Sequence, residues 1–570
     1  MERDLGKIKI DYQERDLLDI SDFNRQYTYT MLDNHHDYKP YDMNGLQSYN
    51  PIYAKLFDIR QSGTNIVLQH KYHIHTLHSV VHVKTGEIVE APIFVKFSPL
   101  LDPIKYMIGK YPLQDDKIRR LPNPSDTSTF PKLADENNAS YIDGFFSFLS
   151  SQLLEHHGFL HGIDYYGSYL GVQDKFKMNV SDDIEYLYTS DYFNRNVGKH
   201  FFISDDVRQN ISEGFGSRAN KNKLVIRSED VEIVDLGAEE IVDIDETCPA
   251  ESSCEDNEVI YEKSSNSTQS STDSSNNSDV IYSSSDSASD SESDESDTDE
   301  SASESDESSI PSSECDNVFA FLPTFPVQMI CLEKCAGTFD DLLDKGVIDE
   351  CEGASALFQI VMTLLVYQRA FSFTHNDLHT NNIMYVNTDI EYLHYMWENR
   401  VYRVPTYGKI YKIIDFGRSI YRYGGKTFCS DSFATGGDAA TQYNCEPYMN
   451  ENRPRLDPNP AFDLCRLGCS MYDFLIEDER ESDMDDYQKT VARWCKDDDG
   501  RNVLYKRNGE ERYPNFKLYK MIARIVHHHT PQEQLKFPLF SQFLMTEAQR
   551  SRFVDGEPGM MNLDAIPSYV

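Results

Sequence analysis

The sequence predicts an α+β protein with two lobes, a small antiparallel-sheet lobe and a mainly helical lobe, separated by a long disordered acidic insertion. Three observations predict this fold class. β-Branched and polar residues alternate before residue 98, and apolar residues recur at helical spacing after residue 337. Between these regions, residues 264–313 consist almost entirely of Ser, Asp, Glu, Thr and Asn. A chain of 570 residues is long enough for a sizeable core.

The first lobe is predicted over residues 51–180, after a polar N-terminal extension at residues 1–50. Alternating residues at 80–83, and after the turn at 84–87 again at Ile88 and 93–97, predict a hairpin within an antiparallel sheet. Apolar residues at helical spacing predict a helix from Tyr141 to His157, and Gly158 stands where its C-cap would be.

The insertion is predicted over residues 181–325. About 150 residues separate the strands predicted at 165–172 and 327–333, whereas a typical connection has about five residues. Its segment 264–313 has too few apolar residues to offset the entropy of ordering, so we predict that it is disordered. Many of its serines precede Asp or Glu, and phosphorylation there would favour a basic partner.

Residues 326–570 complete the first lobe and form the helical one, with helices predicted at 339–345 and 354–370. The net charge is −41. The stretch 229–316 holds 29 acidic residues and one lysine, so it carries 28 of these charges and leaves 13 for the rest. This composition excludes a basic nucleic-acid surface over the whole chain, and no direct nucleic-acid binding is expected.

Cysteine usage and hydropathy bear on the compartment. The 11 cysteines include no CxxC pair, which favours free thiols in a reducing environment. The first residues lack an apolar leader, and the sequence lacks an uninterrupted apolar run of the roughly 18 residues that a membrane span requires. We therefore expect an intracellular protein that does not cross a membrane.

The most informative segment is 374–385, THNDLHTNNIMY, which follows an apolar helix and opens into a short strand. Phosphoryl transfer needs a carboxylate to take the acceptor proton and oxygen ligands to hold magnesium against the phosphates. Asp377 suits the first role and Asn382 the second. A further carboxylate for the metal, Asp415, ends the apolar strand in segment 412–417, KIIDFG.

These segments resemble the protein kinase superfamily, whose catalytic loop reads H-R-D-x-x-x-x-N and whose metal loop reads D-F-G. The resemblance spans roughly residues 56–545 without the insertions, of which a second one lies at 389–407. It implies ATP and Mg²⁺ as cofactors and a protein substrate. Asp377 would be the catalytic base, and Asn382 and Asp415 would be the metal ligands.

The resemblance implies further nucleotide-binding residues. Lys96, which alternates with apolar neighbours in segment 94–97, FVKF, is similar to the phosphate-binding lysine of the third kinase strand. Gly63 would belong to the loop that covers the nucleotide. Leu332 would be the gatekeeper, and the backbones of Glu333 and Cys335 would bond the adenine.

The sequence also departs from the family pattern. His379 replaces the usual lysine two residues after the base, which implies a weaker and pH-sensitive catalytic contact to the transferring phosphate. Asn376 replaces the usual arginine. The loop around Gly63 has one glycine instead of three, and Asp143 fits imperfectly as the acidic partner of Lys96, as does Glu155.

Segment 462–468, FDLCRLG, resembles the start of the kinase helix whose Asp braces the catalytic loop, although Asp463 could instead be a helix N-cap. Lys96 could likewise be a strand lysine that reaches solvent. The divergent loops resemble the putative serine/threonine kinases of giant nucleocytoplasmic DNA viruses, which implies the host cytoplasm or the virion as location.

The first hypothesis is therefore a serine/threonine protein kinase. One alternative is a small-molecule kinase of the aminoglycoside or choline type, which also favours Asp-x-His before its Asn. The other is a pseudokinase scaffold that acts through binding alone, as the single-glycine loop and the unassigned lysine partner would suggest.

Overall fold

The computed structural model describes residues 8–29, 37–60, 62–125, 128–204, 318–476, 484–550 and 559–570. They form a mixed α+β structure with several small, mostly antiparallel sheets, as the sequence predicts. The predicted disordered segment 264–313, with its proposed phosphorylation sites and basic partner, lies outside the described residues.

The strands are short, apart from two strands of 15 residues that belong to the main sheet. They are β1 (Tyr12–Glu14), β2 (Met43–Gln47), β3 (Ile66–Leu68), β4 (Tyr72–Thr76), β5 (Ser79–His82), β6 (Ile88–Glu90), β7 (Ile93–Pro99), β8 (Tyr165–Asn179), β9 (Phe202–Ile203), β10 (Phe319–Glu333), β11 (Gly337–Thr338), β12 (Ile383–Asn387), β13 (Tyr392–Trp397), β14 (Arg400–Pro405), β15 (Lys409–Ile413), β16 (Ile420–Tyr423), β17 (Lys426–Cys429) and β18 (Met560–Asn562).

The helices are concentrated after residue 338, and the longest is a core helix. They are α1 (Phe23–Gln26), α2 (Pro103–Met107), α3 (Pro131–Ala134), α4 (Ala139–His157), α5 (Ile184–Thr189), α6 (Asp191–Asn196), α7 (Phe339–Asp344), α8 (Glu350–Phe371), α9 (Phe462–Leu475), α10 (Asp486–Trp494), α11 (Lys517–Ile525), α12 (Pro531–Gln534), α13 (Pro538–Ser541) and α14 (Glu547–Arg550).

The main sheet has the strand order β2-β8-β10-β7, and β9 also pairs with β10. Its neighbours are antiparallel, with Lys96 opposite Ile330. In β7 the residues Ile93, Val95 and Phe97 are buried on one face. Because side chains alternate along a strand, Lys96 points to the opposite face, towards α4.

The predicted hairpin forms, but over a shorter range than the sequence suggests. β5 and β6 pair around the turn at 84–87, and the His82 N–H donates to Glu87 O at 2.8 Å. The segment 93–97 does not continue this hairpin, because β7 pairs with β10 in the main sheet. The first residue of this segment stays bonded to the hairpin, since the Ile93 N–H donates to Leu77 O at 3.3 Å.

Helix α4 confirms the prediction at 141–157 and begins two residues earlier. Asn138 caps its start by accepting the Ser140 N–H, and Gly158 ends it with a φ of 64°. Helices α7 and α8 confirm the predictions at 339–345 and 354–370. The predicted insertion contains regular structure at both ends, since α5, α6, β9 and the start of β10 fall within residues 181–325.

Helix α8 is long and apolar enough to cross a membrane, but 89% of its most apolar window is buried inside the protein. It therefore has the burial of a core helix. The second predicted insertion, residues 389–407, is a hairpin of β13 and β14 placed between β12 and β15. Strand β18 pairs with β13 in parallel, which ties the C-terminal residues to this hairpin.

Candidate active site

Lys96 is held between two carboxylates. Its Nζ lies 2.8 Å from Asp143 Oδ2 and 2.9 Å from Asp415 Oδ1, and only 14% of its side chain is exposed. Burial opposes the charge on Lys96, but Asp143 and Asp415 outweigh it and raise its pKa above the ordinary value. The lysine is therefore a buried cation, and the alternative of a strand lysine that reaches solvent is wrong.

Asp143 comes from α4 and also fixes the backbone that follows Asp415. Its Oδ1 accepts the Phe416 N–H at 2.8 Å. Asp415 itself has a φ of 61°, in the left-handed region that side chains seldom adopt. This conformation turns the chain sharply at the end of β15 and leaves the Asp415 carboxylate beside Lys96.

The backbone of the loop at 374–382 is held by hydrogen bonds to the side chain of Asp463. This carboxylate is fully buried and accepts the N–H of His375 at 2.8 Å and that of Asn376 at 2.9 Å. Helix α9 begins at Phe462 with Ala461 as its N-cap, so Asp463 does not cap it. The predicted bracing contact is thus confirmed, and the N-cap interpretation is wrong.

Asn376 is part of the loop's own hydrogen-bond network. It adopts a φ of 65° and is fully buried. Its side chain donates to Thr374 O at 3.2 Å and to Arg418 O at 3.1 Å, and accepts from the Tyr443 hydroxyl at 2.7 Å. Asn376 therefore ties the loop to the segment that follows Asp415.

Asp377 faces an aromatic and two guanidinium groups. The Tyr519 hydroxyl donates to its Oδ1 at 2.9 Å, and Arg418 Nη1 lies 3.7 Å from its Oδ2. Arg466 Nε in turn donates to the Tyr519 hydroxyl at 2.9 Å. Burial favours the neutral acid, but the guanidinium groups of Arg418 and Arg466, with the Tyr519 hydrogen bond, lower the pKa of Asp377 below its usual value.

His379 and Asn382 are hydrogen-bonded to each other, and Asn382 is also bonded to the backbone of Asp377. Asn382 Nδ2 donates to Asp377 O at 2.9 Å and to His379 Nε2 at 3.0 Å. Because Nε2 accepts, His379 is a neutral imidazole with its proton on Nδ1. Burial lowers the pKa of His379 to about 4, so the ring stays neutral at physiological pH.

Lys96, Asp377 and Asp415 line one cavity of about 130 Å³, together with Asp143, Gly417 and Arg418. Asn382 is not among the lining residues but is hydrogen-bonded to the backbone of one of them, Asp377. β12 and β15 pair so that the Ile414 N–H donates to Asn382 O at 3.0 Å, which places Asn382 next to the residue that precedes Asp415. Residues 281 positions apart, Lys96 and Asp377, thus meet at one site.

Asp415 and Asn382 fit a magnesium ion by their donor chemistry. Mg²⁺ prefers oxygen ligands and usually takes one or two carboxylates, with waters and substrate phosphates filling the other positions. The Asn382 amide nitrogen is engaged, which leaves its oxygen as the atom able to face a cation. Within the described ranges, His, Cys, Asp and Glu do not form a metal-binding group of three or more.

The residues predicted to bind the base lie away from this cavity. Leu332 is buried in β10, and Glu333 forms an ion pair with Lys412. The Glu333 N–H donates to Asp164 O at 3.0 Å, so a bond from this backbone to a base would use the Glu333 carbonyl. Cys335 lies half-buried beyond β10, and Gly63 lies exposed in the loop before β3. None of these four residues lines the cavity.

Four residues of the site were missed or left open by the sequence. Asp143 fits imperfectly by its position in the sequence, as does Glu155, but the structure places its Oδ2 2.8 Å from Lys96 Nζ, so Asp143 is an acidic partner of Lys96. Arg466 lies three residues after Asp463 and therefore on the same face of α9, a signal that could have been used. Arg418 and Tyr519 carry no comparable signal, because only the tertiary fold brings them to Asp377.

No protein-family model matches this sequence, and no curated protein matches it. The function must therefore be argued from the site.

Proposed function

We propose that this chain is a protein kinase with the bilobal kinase fold, which uses ATP and Mg²⁺ to phosphorylate serine or threonine in protein substrates. The observation that carries the proposal is the meeting of Lys96, Asp377 and Asp415 at one cavity, with Asn382 hydrogen-bonded to Asp377 O and to the Ile414 N–H. The fold supports it, because a sheet-rich part supplies Lys96 and a helix-rich part supplies the other three residues.

Each residue then has a role set by its chemistry. ATP and Mg²⁺ would supply the phosphoryl group and neutralise its charge. Lys96, kept protonated by Asp143 and Asp415, would orient the phosphates. Asp415 and Asn382 would hold the metal. Asp377 is kept ionised by its surroundings, so it can accept the proton of the acceptor hydroxyl.

The nucleotide base would extend from the cavity towards the end of β10. Leu332, Glu333 and Cys335 keep their proposed roles there, and Gly63 keeps its proposed role at the phosphates. His379 remains a proposed catalytic residue, although its neutral ring and its contact with Asn382 favour a role in placing the metal ligand. The relationship to viral kinases and the intracellular location stay predictions.

The test is transfer of labelled phosphate from ATP to basic and acidic generic proteins in the presence of magnesium. We expect transfer by the natural chain and a loss of about 100-fold or more in Asp377→Asn, because a general base alone contributes that much. Asp415→Asn should cause a loss of similar size, because it removes the carboxylate proposed to hold the metal. Asp499→Asn is the matched control, since Asp499 is exposed. Labelling of aminoglycosides or choline instead of protein would indicate a small-molecule kinase, and nucleotide binding without turnover would indicate a pseudokinase.

A further inference from the structure

The cavity is rich in carboxylates and poor in cations. Among its described lining residues, five are aspartates and two are basic, Lys96 and Arg418. Lys96 is already held between Asp143 and Asp415. A phosphoryl group that enters this site brings further negative charge, so transfer depends on the positive groups that can reach it.

The position where kinases place a second cation is neutral in this chain. His379 is 1% exposed, and its Nε2 accepts a hydrogen bond from Asn382 Nδ2 at 3.0 Å, as only an uncharged ring nitrogen can. It also does not line the cavity. His379 therefore cannot supply the positive charge that a lysine would bring two residues after the base.

Arg418 lies where this charge is needed. It follows Gly417 directly, lines the cavity, and has only 11% of its side chain exposed. Its Nη2 donates to Asp438 Oδ2 at 2.6 Å, and its Nη1 lies 3.7 Å from Asp377 Oδ2. Its backbone is fixed as well, because Asn376 donates to Arg418 O.

We propose that Arg418 is a further catalytic residue whose guanidinium contacts the transferring phosphoryl group and replaces the lysine that this chain lacks. The inference rests on the proposed kinase function. In the step, the acceptor oxygen bonds to the γ-phosphorus, the bond from that phosphorus to the bridging oxygen of ADP breaks, and the hydroxyl proton passes to Asp377. Arg418 Nη1, beside Asp377, donates to the phosphoryl oxygens on which charge accumulates.

The experiment compares kcat and the KM for ATP in Arg418→Met, Arg418→Lys and the natural chain, with Mg-ATP and the best generic protein substrate. We expect kcat to fall about 100-fold or more in Arg418→Met, with a small change in KM, because the lost contact is made mainly in the transition state. Arg418→Lys keeps the positive charge but loses the planar set of guanidinium donors, so its kcat should lie between those of Arg418→Met and the natural chain. Arg422→Met removes an exposed arginine of β16 and should leave kcat unchanged.

Chemical rescue separates a catalytic role from a structural one. Arg418→Ala leaves space for a free guanidinium ion, so millimolar guanidinium chloride should restore part of its kcat and should not raise that of Asp377→Asn. Thermal unfolding of each variant establishes that it is folded. A folded Arg418→Met with kcat within ~3-fold of the natural chain, or Arg418→Ala without rescue, would overturn the role of Arg418 and leave the kinase function intact. Absence of transfer by the natural chain would overturn the proposed function itself.

Discussion

Asp377 has two oxygens in different surroundings, and this difference assigns their roles. Tyr519 donates to Oδ1, while Oδ2 faces Arg418 across 3.7 Å without a hydrogen bond of normal length. Arg466 donates to the same Tyr519 hydroxyl, and its guanidinium lies 5.2 Å from the ring centre. The cation polarises the phenol and strengthens its donation to Asp377. In the proposed reaction, Tyr519 would thus be a positioning residue that leaves Oδ2 for the acceptor hydroxyl.

Replacing Tyr519 by phenylalanine tests this assignment. The hydrogen bond from Tyr519 stabilises the ionised carboxylate, so its loss should raise the pKa of Asp377 from its lowered value. Because the base must be ionised, the acid limb of the kcat/KM profile should move to higher pH, and kcat should fall by about tenfold. Tyr505→Phe is the control, since its hydroxyl bonds the exposed Asp473. A lower kcat with an unmoved acid limb would show that Tyr519 acts only in packing.

At the scale of elements, helix α9 determines the shape of the loop at 374–382. Asp463 in its first turn accepts two backbone N–H groups of the loop, and the loop has few other ways to satisfy them because both donors are buried. Asp463→Ala should therefore lower the free energy of unfolding by about 2–4 kcal/mol, since each buried donor left unpaired costs about 1–3 kcal/mol.

Urea unfolding measures this effect. Asp473→Ala is the matched control on the same helix, where the carboxylate is exposed and a change below about 1 kcal/mol is expected. Activity of Asp463→Ala should fall as well, because Asp377 follows the two braced residues directly. Equal stability of the two variants would mean that the loop keeps its shape without the brace.

Elements with a strong local pattern could be predicted from the sequence. The sequence predicts helix α4 with its glycine C-cap, and it predicts the ends of α7 and α8 to within a few residues, because apolar spacing and caps are local signals. The partner strand of β7 was not found from alternation, because Ile93–Pro99 joins β10 from 220 residues or more away. Asp377, Asn382 and Asp415 were found because they lie in short motifs. Tyr519 was not, because its approach to Asp377 depends on how α11 packs.

At the scale of the whole molecule, the end of β10 is joined to β15 by a buried charge cluster. Lys412 of β15 is 5% exposed, pairs with Glu333, and donates to Gly162 O at 2.8 Å. Asp164 shares the cluster, because its N–H donates to the Glu333 carboxylate at 2.7 Å. The pKa of Asp164 is raised from 3.8 to about 6. Burial is the main cause, the negative charge of Glu333 adds to it, and the positive charge of Lys412 opposes it. The positive charge of Lys412 therefore offsets the repulsion between the neighbouring carboxylates of Glu333 and Asp164 inside the fold.

Lys412→Met should lower the free energy of unfolding at pH 7.5 by about 3 kcal/mol, because it leaves a largely buried carboxylate without its cation. The pH dependence follows from Asp164. Its folded pKa lies above the unfolded value, so the folded state holds a proton that the unfolded chain releases, and stability falls as pH rises from about 4 to 6. Without Lys412 this pKa rises further, so the deficit should be smaller at pH 5 than at pH 7.5.

Urea titrations of both proteins at the two pH values measure the deficit. Lys409→Met is the control on the same strand, where the pair with Glu352 spans 3.8 Å and a loss below about 1 kcal/mol is expected. The double variant Lys412→Met with Glu333→Gln should regain most of the stability, since it removes the stranded charge as well as its partner. A deficit that is the same at both pH values and persists in the double variant would mean that Lys412 acts through packing and its bond to Gly162.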